Sequence, residues 1–351
     1  MKRGLAAAAA GLIALSLALT RGTVLAHAID PDSVADGTPL ARALPEPSYG
    51  PGDGPADTTA PIAPPVAAPA TQPATQTVAP VPATPAVSRI VAGTFYSQAM
   101  QARRAFDAYL PPSYDQAPGR TYPVLYLLHG DGGRVDDWAA FGLRAKMDQA
   151  IANGAPEMIV VMPDGSAGSG DLTDWANRWD GSEPVEDQVV DLVSFVDETY
   201  RTMPDRSTRF IGGLSSGGFG ALNLSLHHPD LFSTAMSFSG FIAADDPEAD
   251  PGVFGEDPAY VQRNSPAVLA SSQRAARDIY YVLSGGQDDP YFRNRMAEFS
   301  AELDRLGIAH EFHVVPGGHD MTAWDAGLDF GLAHLAEQLP PATPVVVRSS
   351  E

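Results

Sequence analysis

Cysteine is absent from all 351 residues. Disulfides, thiolate metal sites and a thiol nucleophile are thereby excluded, while the compartment stays open by this criterion. Positive charge is scarce as well: 22 Lys and Arg stand against 43 Asp and Glu, a formal net charge of −21. Such a surface is repelled by phosphate backbones and by anionic lipid, so neither nucleic acid nor an acidic membrane face is expected as a partner. Large apolar side chains are nearly missing from residues 29–88, where Pro, Ala and Thr alternate, as in Pro61-Ile62-Ala63-Pro64-Pro65. A segment of that composition cannot bury enough surface to offset its ordering entropy. It reads as an extended, partly polyproline-like tether, or as a leader with no role of its own.

What remains is apolar enough to fold. The chain is 44% hydrophobic, and its length accommodates one large or two ordinary domains. At the start, Lys2-Arg3 precedes an uncharged stretch from Gly4 to Thr20 and then Ala26-His27-Ala28. Basic start, apolar middle and small-residue cleavage site are the three parts of a secretory signal, here residues 1–28 with cleavage after Ala28. An uncleaved anchor is the alternative, because the uncharged run approaches the minimum of about 17 residues that spans a membrane. Either way a secreted, periplasmic or cell-envelope location is expected, with the 29–88 linker able to hold the folded part near an envelope.

Residues 89–339 carry the pattern of one domain. Strands are expected at 92–100 and 104–110 as an antiparallel pair, then at 122–128, 158–162, 209–214, 234–238, 279–283 and 311–315. Helices are expected at 136–152, 184–200, after residue 220, at 291–306 and at 321–339. Tyr122–Leu128 is a continuous apolar run of the kind buried on both faces of a parallel sheet. Alternating strands and helices predict a single doubly wound, mostly parallel α/β sheet with helices on both faces. The tail, 340–351, is short and polar.

The chemistry gathers around Gly213-Leu214-Ser215-Ser216-Gly217, which matches G-x-S-x-G between an apolar strand and a buried helix. That motif makes a sharp strand-to-helix turn whose glycines relieve crowding and lift the serine hydroxyl off the sheet. A plain Gly/Ser turn is the structural alternative, and the presence of partners decides between them. Serine needs a base, and the base needs an acid that fixes its tautomer. His319, in Pro316-Gly317-Gly318-His319-Asp320, follows a strand and precedes the last helix, as the base should. The acid should lie after the strand ending at Leu283, where Gly285-Gly286-Gln287-Asp288-Asp289-Pro290 offers two carboxylates. Asp288 is favoured as the nearer to the strand, and Asp289 is expected to cap the helix that begins at Pro290. Oxyanion donors are expected from the backbone N–H of Ser216 and from the loop His129-Gly130-Asp131-Gly132-Gly133, with Asp131 supplying the second amide and its carboxylate pointing away.

With these stretches in hand, residues 89–339 resemble the esterase D-type branch of the α/β-hydrolases, which includes feruloyl and acetyl xylan esterases, S-formylglutathione hydrolases and secreted mycolyltransferases. The likeness rests on Tyr122-Pro123-Val124-Leu125-Tyr126-Leu127-Leu128-His129-Gly130, on Gly213–Gly218 with His228-Pro229-Asp230-Leu231-Phe232, and on Pro316–Asp320 with Trp324. It implies triad roles for Ser215, Asp288 and His319 and oxyanion roles for the Asp131 and Ser216 amides. Ser216 departs from the methionine often found there, and the doubled aspartate leaves Asp289 open as the acid.

Trp175 and Trp179, in Asp174-Trp175-Ala176-Asn177-Arg178-Trp179-Asp180, either stack on a sugar or aromatic acyl group or pack their loop onto the domain. The acidic stretch Asp245–Asp257 lacks EF-hand spacing and reads as a solvated loop rather than a calcium site or flap. Strand alternation accounts for His310 and His313, so neither metal nor other cofactor is expected. The expected function is an exported serine esterase acting on a small-molecule or polysaccharide-linked ester. An envelope acyltransferase using the same acyl-enzyme is the alternative, and a non-enzymatic envelope-binding protein is the second.

Overall fold

The computed structural model describes residues 86–166 and 172–339. The expected signal at 1–28, nearly all of the linker at 29–88 and the tail at 340–351 lie outside the described residues. In chain order, β1 (Arg89–Ser97) and β2 (Ala102–Leu110) are followed by β3 (Val124–Leu128), α1 (Asp137–Ala140), α2 (Leu143–Ala152), β4 (Ile159–Pro163), α3 (Val185–Thr199), β5 (Arg209–Leu214) and α4 (Ser216–His227). Then come β6 (Thr234–Phe238), the short helices α5 (Pro251–Phe254), α6 (Pro258–Arg263) and α7 (Pro266–Ser272), then β7 (Tyr280–Gly286), α8 (Pro290–Leu306), β8 (His310–Val315) and α9 (Met321–Gln338).

The strands form one eight-stranded sheet in the order β1-β2-β4-β3-β5-β6-β7-β8. The β1–β2 hairpin is antiparallel, and β2 adds antiparallel to β4; the six strands from β4 to β8 run parallel. Parallel strands need crossovers, and the helices supplying them cover both faces. Alternation along β3 divides the core between those faces. Tyr126 joins Val161, Ile211 and Tyr281 under α3, α4 and α8, which contribute Val189, Leu192, Leu222 and Phe299. Leu125 and Leu127 point the other way, to Trp138, Leu143 and Met147 of α1 and α2 and to Leu328, Leu332 and Leu335 of α9. Every residue of β3, β4, β5 and β6 is buried. The doubly wound, mostly parallel sheet is the one that the alternation of strands and helices predicts, and the fold is the α/β-hydrolase fold that the resemblance implies.

Three local departures have physical causes. The single helix expected at 136–152 is two, because Gly142 adopts φ 90°, a left-handed conformation that interrupts the helix between Ala140 and Leu143. The stretch expected as a solvated acidic loop instead begins a run of short helices. Asp250 accepts from the Gly252 N–H at 2.7 Å and Asp257 from the Ala259 N–H at 3.0 Å, each carboxylate capping a helix whose first turn starts with proline. Finally, β7 runs on to Gly286, three residues past the expected end at Leu283, which displaces the loop that follows it. Among the described residues no helix is long and apolar enough to cross a membrane.

Leu127 is fully buried in the central strand, so Leu127→Ala should lower the unfolding free energy by about 2–5 kcal/mol. Val314, 56% exposed on edge strand β8, should change it by less than about 0.5 kcal/mol when replaced by Ala. Urea titration of the two variants, compared at equal slope, checks the contrast.

Candidate active site

Ser215 joins β5 to α4 at φ 54° and ψ −123°, a conformation that costs a residue with a side chain on the order of 1–3 kcal/mol. The cost is sustained by what surrounds it. The Ser215 N–H donates to the Phe238 carbonyl at 2.9 Å, tying the turn to β6. A Cβ on Gly213 would lie 2.3 Å from the Gly217 carbonyl oxygen, and one on Gly217 would lie 2.4 Å from that of His129. Both positions of the motif are therefore glycine because backbone passes where a side chain would stand.

Two further loops at the same sheet edge complete the contact. His319 Nδ1–H donates to Asp289 Oδ2 at 2.9 Å, which leaves Nε2 to accept the Ser215 hydroxyl, also at 2.9 Å. Phe292 stacks on the imidazole at 4.0 Å between centroids, and Trp324 meets its edge at 5.1 Å. The ring is thus clamped in plane as well as by its hydrogen bonds. The expected serine and histidine are brought together, and the acid is corrected: Asp289, not Asp288, pairs with His319. Because β7 extends to Gly286, Asp288 is carried onto the exposed turn, where its N–H donates to the Gly317 carbonyl at 3.0 Å. Asp289 turns inward and is 8% exposed. Its Oδ1 accepts from the Phe292 N–H at 3.3 Å, so one carboxylate both caps α8 and holds the imidazole. The two oxygens of one carboxylate serve both, each taking a separate partner. Gly286 and Gly317 let the acid loop and the histidine loop touch, since a Cβ on Gly286 would stand 2.6 Å from the Gly317 oxygen.

On the other side of Ser215, Gly130 passes so close that its Cβ would lie 3.3 Å from that of the serine. Asp131 and Ser216 share the wall of a cavity of about 160 Å³ with Gly130, Gly165 and Thr173. The Ser216 N–H is the first of α4 and has no acceptor within the helix, as expected of an oxyanion donor. Asp131 lies on the wall of this cavity with Ser216; desolvation raises its pKa and the Ser216 hydroxyl lowers it.

The loop carrying Asp131 is anchored by His129 and Trp175. His129 is buried, its Nδ1–H donating to the Gly130 carbonyl at 2.8 Å and its Nε2 accepting the Gly165 N–H at 3.0 Å. Trp175 is 1% exposed, and its indole N–H donates to the His129 carbonyl at 2.9 Å. It packs so closely on Gly165 and Gly220 that a Cβ at either would approach it to 2.5 Å. Of the two readings left open for Trp175, the structure selects loop packing over a stacking surface. Trp179 is 54% exposed, lies against Gly255, and its N–H donates to the Val253 carbonyl at 2.8 Å.

The remaining histidines among the described residues have partners elsewhere. His227 and His228 both contact Glu186, which burial opposes but the two histidines hold ionised, at about 2. His310 pairs with Ser300, His313 stacks on Phe330 and His334 on Tyr280. Among the described residues no group of three or more His, Asp or Glu is placed to hold a metal ion. A larger cavity of about 410 Å³ opens among Phe210, Thr234 and Tyr280, at the opposite ends of strands β5 to β7 from Ser215.

Burial holds the His129 pKa below its ordinary value of about 6.5. The unfolded chain therefore binds this proton more readily than the folded one, so the contribution is present above about pH 6.5 and is lost as pH falls through that value and below. Between pH 7 and 5 the unfolding free energy of wild type should fall more steeply than that of His129→Asn, as read from denaturant titrations at each pH.

With the geometry established, comparison with known proteins agrees with it. An esterase of Mycobacterium tuberculosis is 31% identical over 240 residues, covering 60% of this chain and 51% of its own length. The chain thus spans about half the length of the curated relatives it matches. The structure of a ferulic acid esterase superposes with a TM-score of 0.64 at 29% identity, covering 72% of this chain and 99% of that one. An S-formylglutathione hydrolase from Agrobacterium tumefaciens shares the fold, with a TM-score of 0.62 at 19% identity over 73% of this chain and 98% of that one. Residues 97–335 match the model of the family described as "Putative esterase", and the chain belongs to that family, the esterase D-type branch of the α/β-hydrolases.

Proposed function

We propose that the protein is an exported serine esterase that hydrolyses a carboxylic ester through an acyl-enzyme. The observation that carries this reading is the hydrogen-bond line from Ser215 through His319 to Asp289, 2.9 Å at each step. Ser215 Oγ attacks the ester carbonyl while His319 Nε2 takes its proton. The Asp289 carboxylate keeps Nδ1 protonated and stabilises the imidazolium that results. The tetrahedral oxyanion is received by the Ser216 and Asp131 N–H groups, each donor of this kind being worth about 3–4 kcal/mol. Collapse breaks the bond to the alcohol oxygen, which leaves with the proton from His319. Water then attacks the acyl-serine with His319 again as base, releasing the acid and restoring the Ser215 hydroxyl.

Family membership and the likeness to a ferulic acid esterase support ester hydrolysis. Export rests on Lys2-Arg3, the uncharged stretch and Ala26-His27-Ala28, and association with an envelope through residues 29–88 is part of the same proposal.

A panel of 4-nitrophenyl esters with methyl ferulate, assayed with and without a sugar acceptor, tests the reading. Ser215→Ala should abolish measurable turnover, and retention of wild-type rates would overturn the proposal. Acylated sugar as the main product would replace hydrolysis by acyl transfer. Asp289→Asn keeps a cap for α8 but forces the wrong imidazole tautomer, so kcat/KM should fall on the order of 10⁴-fold, while exposed Asp288→Asn should stay near wild type.

A further inference from the structure

The strand order sorts the groups around Ser215 into two sides. Ser215 follows β5, while Asp289 and His319 follow β7 and β8 on one flank of it. On the other flank, the loops after β3 and β4 enclose the cavity of about 160 Å³, whose wall includes Gly130, Asp131, Gly165, Leu172, Thr173 and Ser216. An ester lying on Ser215 has to respect that division. Its alcohol oxygen leaves with the proton from His319 Nε2, so the alcohol lies on the β7–β8 side. The acyl chain is another substituent of the tetrahedral carbon and points away from the leaving oxygen. With the oxyanion held at the Asp131 and Ser216 amides, that direction leads into the cavity.

The cavity is small and its walls are tied. A protein cavity of about 150 Å³ holds one benzene, roughly six non-hydrogen atoms, whereas pockets for larger ligands run from about 300 Å³ upward. The His129 ring accepts the Gly165 N–H at 3.0 Å and the Trp175 indole donates to the His129 carbonyl at 2.9 Å, so the two loops are joined twice. Thr173 Oγ1 donates to the Gly165 carbonyl at 2.7 Å and closes the second loop on itself. Trp175 is buried against Gly165 and against Gly220 of α4, which leaves the floor no room to retreat. Leu172, 40% exposed, brings an apolar side chain to the rim. On the opposite flank His319 is exposed, so the alcohol faces solvent.

We propose that this cavity is the acyl pocket and that it selects esters of short acyl groups, those with up to about six non-hydrogen atoms beyond the carbonyl, on alcohols of unrestricted size. The proposal rests on the reading of Ser215 as an esterase nucleophile and names the substrate class of that site. A straight chain through hexanoyl fits. A decanoyl or feruloyl group exceeds the capacity by half or more, and overfilling a site with tied walls forces side chains and backbone to shift.

The 4-nitrophenyl esters of acetate, butanoate, hexanoate, decanoate and ferulate share a leaving group, so differences in kcat/KM among them report the acyl side. The highest value should fall among the first three, with decanoate and ferulate lower by about tenfold or more. Leu172→Ala, which removes carbon from the exposed rim, should raise the decanoate-to-butanoate ratio about fivefold or more, and Leu172→Trp should lower the hexanoate-to-acetate ratio by a similar factor. On the alcohol side, 1-naphthyl butanoate should stay within about fivefold of phenyl butanoate, and a larger drop would overturn the unrestricted alcohol. Rates level or rising through decanoate, ferulate preferred to butanoate, or Leu172 variants that scale all five esters alike would overturn the pocket and leave the esterase reading intact. Cleavage of none of the esters would instead sink the esterase reading, and the pocket with it.

Discussion

One buried carboxylate holds the site together. Asp289 is in hydrogen-bond contact at both oxygens, one accepting the Phe292 N–H at the start of α8 and the other the His319 ring. The first contact fixes the carboxylate to a helix of 17 residues packed on the sheet, so the second presents the imidazole to Ser215 from a rigid support. A free loop carboxylate would have to be ordered anew each time the ring is used. Here the ordering has been completed by folding, and the ring's remaining freedom is removed by Phe292, a residue of the same helix turn.

That arrangement depends on backbone passing unusually close to backbone. Gly213 and Gly217 on the elbow, Gly130 beside Ser215 and Gly286 at the end of β7 each occupy a place where a side chain would collide with neighbouring backbone or side chain. The loops after β3, β5, β7 and β8 can then meet at one edge of the sheet. His129 and Trp175 anchor the loop beside Ser215, one by joining Gly130 to Gly165 and the other by bonding the His129 carbonyl. Both bear on where the Asp131 amide stands.

The sequence by itself determined the sheet, the elbow and the place of His319. Apolar runs such as Val124–Leu128 can be buried only between two helical layers, and G-x-S-x-G before a buried helix has one local geometry, so Ser215 and the loop holding His319 were legible from short-range pattern. The choice between Asp288 and Asp289 was not, since it turns on β7 continuing through Gly285 and Gly286, which depends on pairing with β8, contributed from more than twenty residues further along. The Asp-Pro caps of α5 and α6 stand in the sequence as Asp250-Pro251 and Asp257-Pro258, start signals as local as the elbow. Whether Trp175 faces substrate or core was decided only by tertiary structure. Local patterns state which backbone a segment prefers; which way a loop side chain turns is settled by the volume and charge that distant segments bring against it.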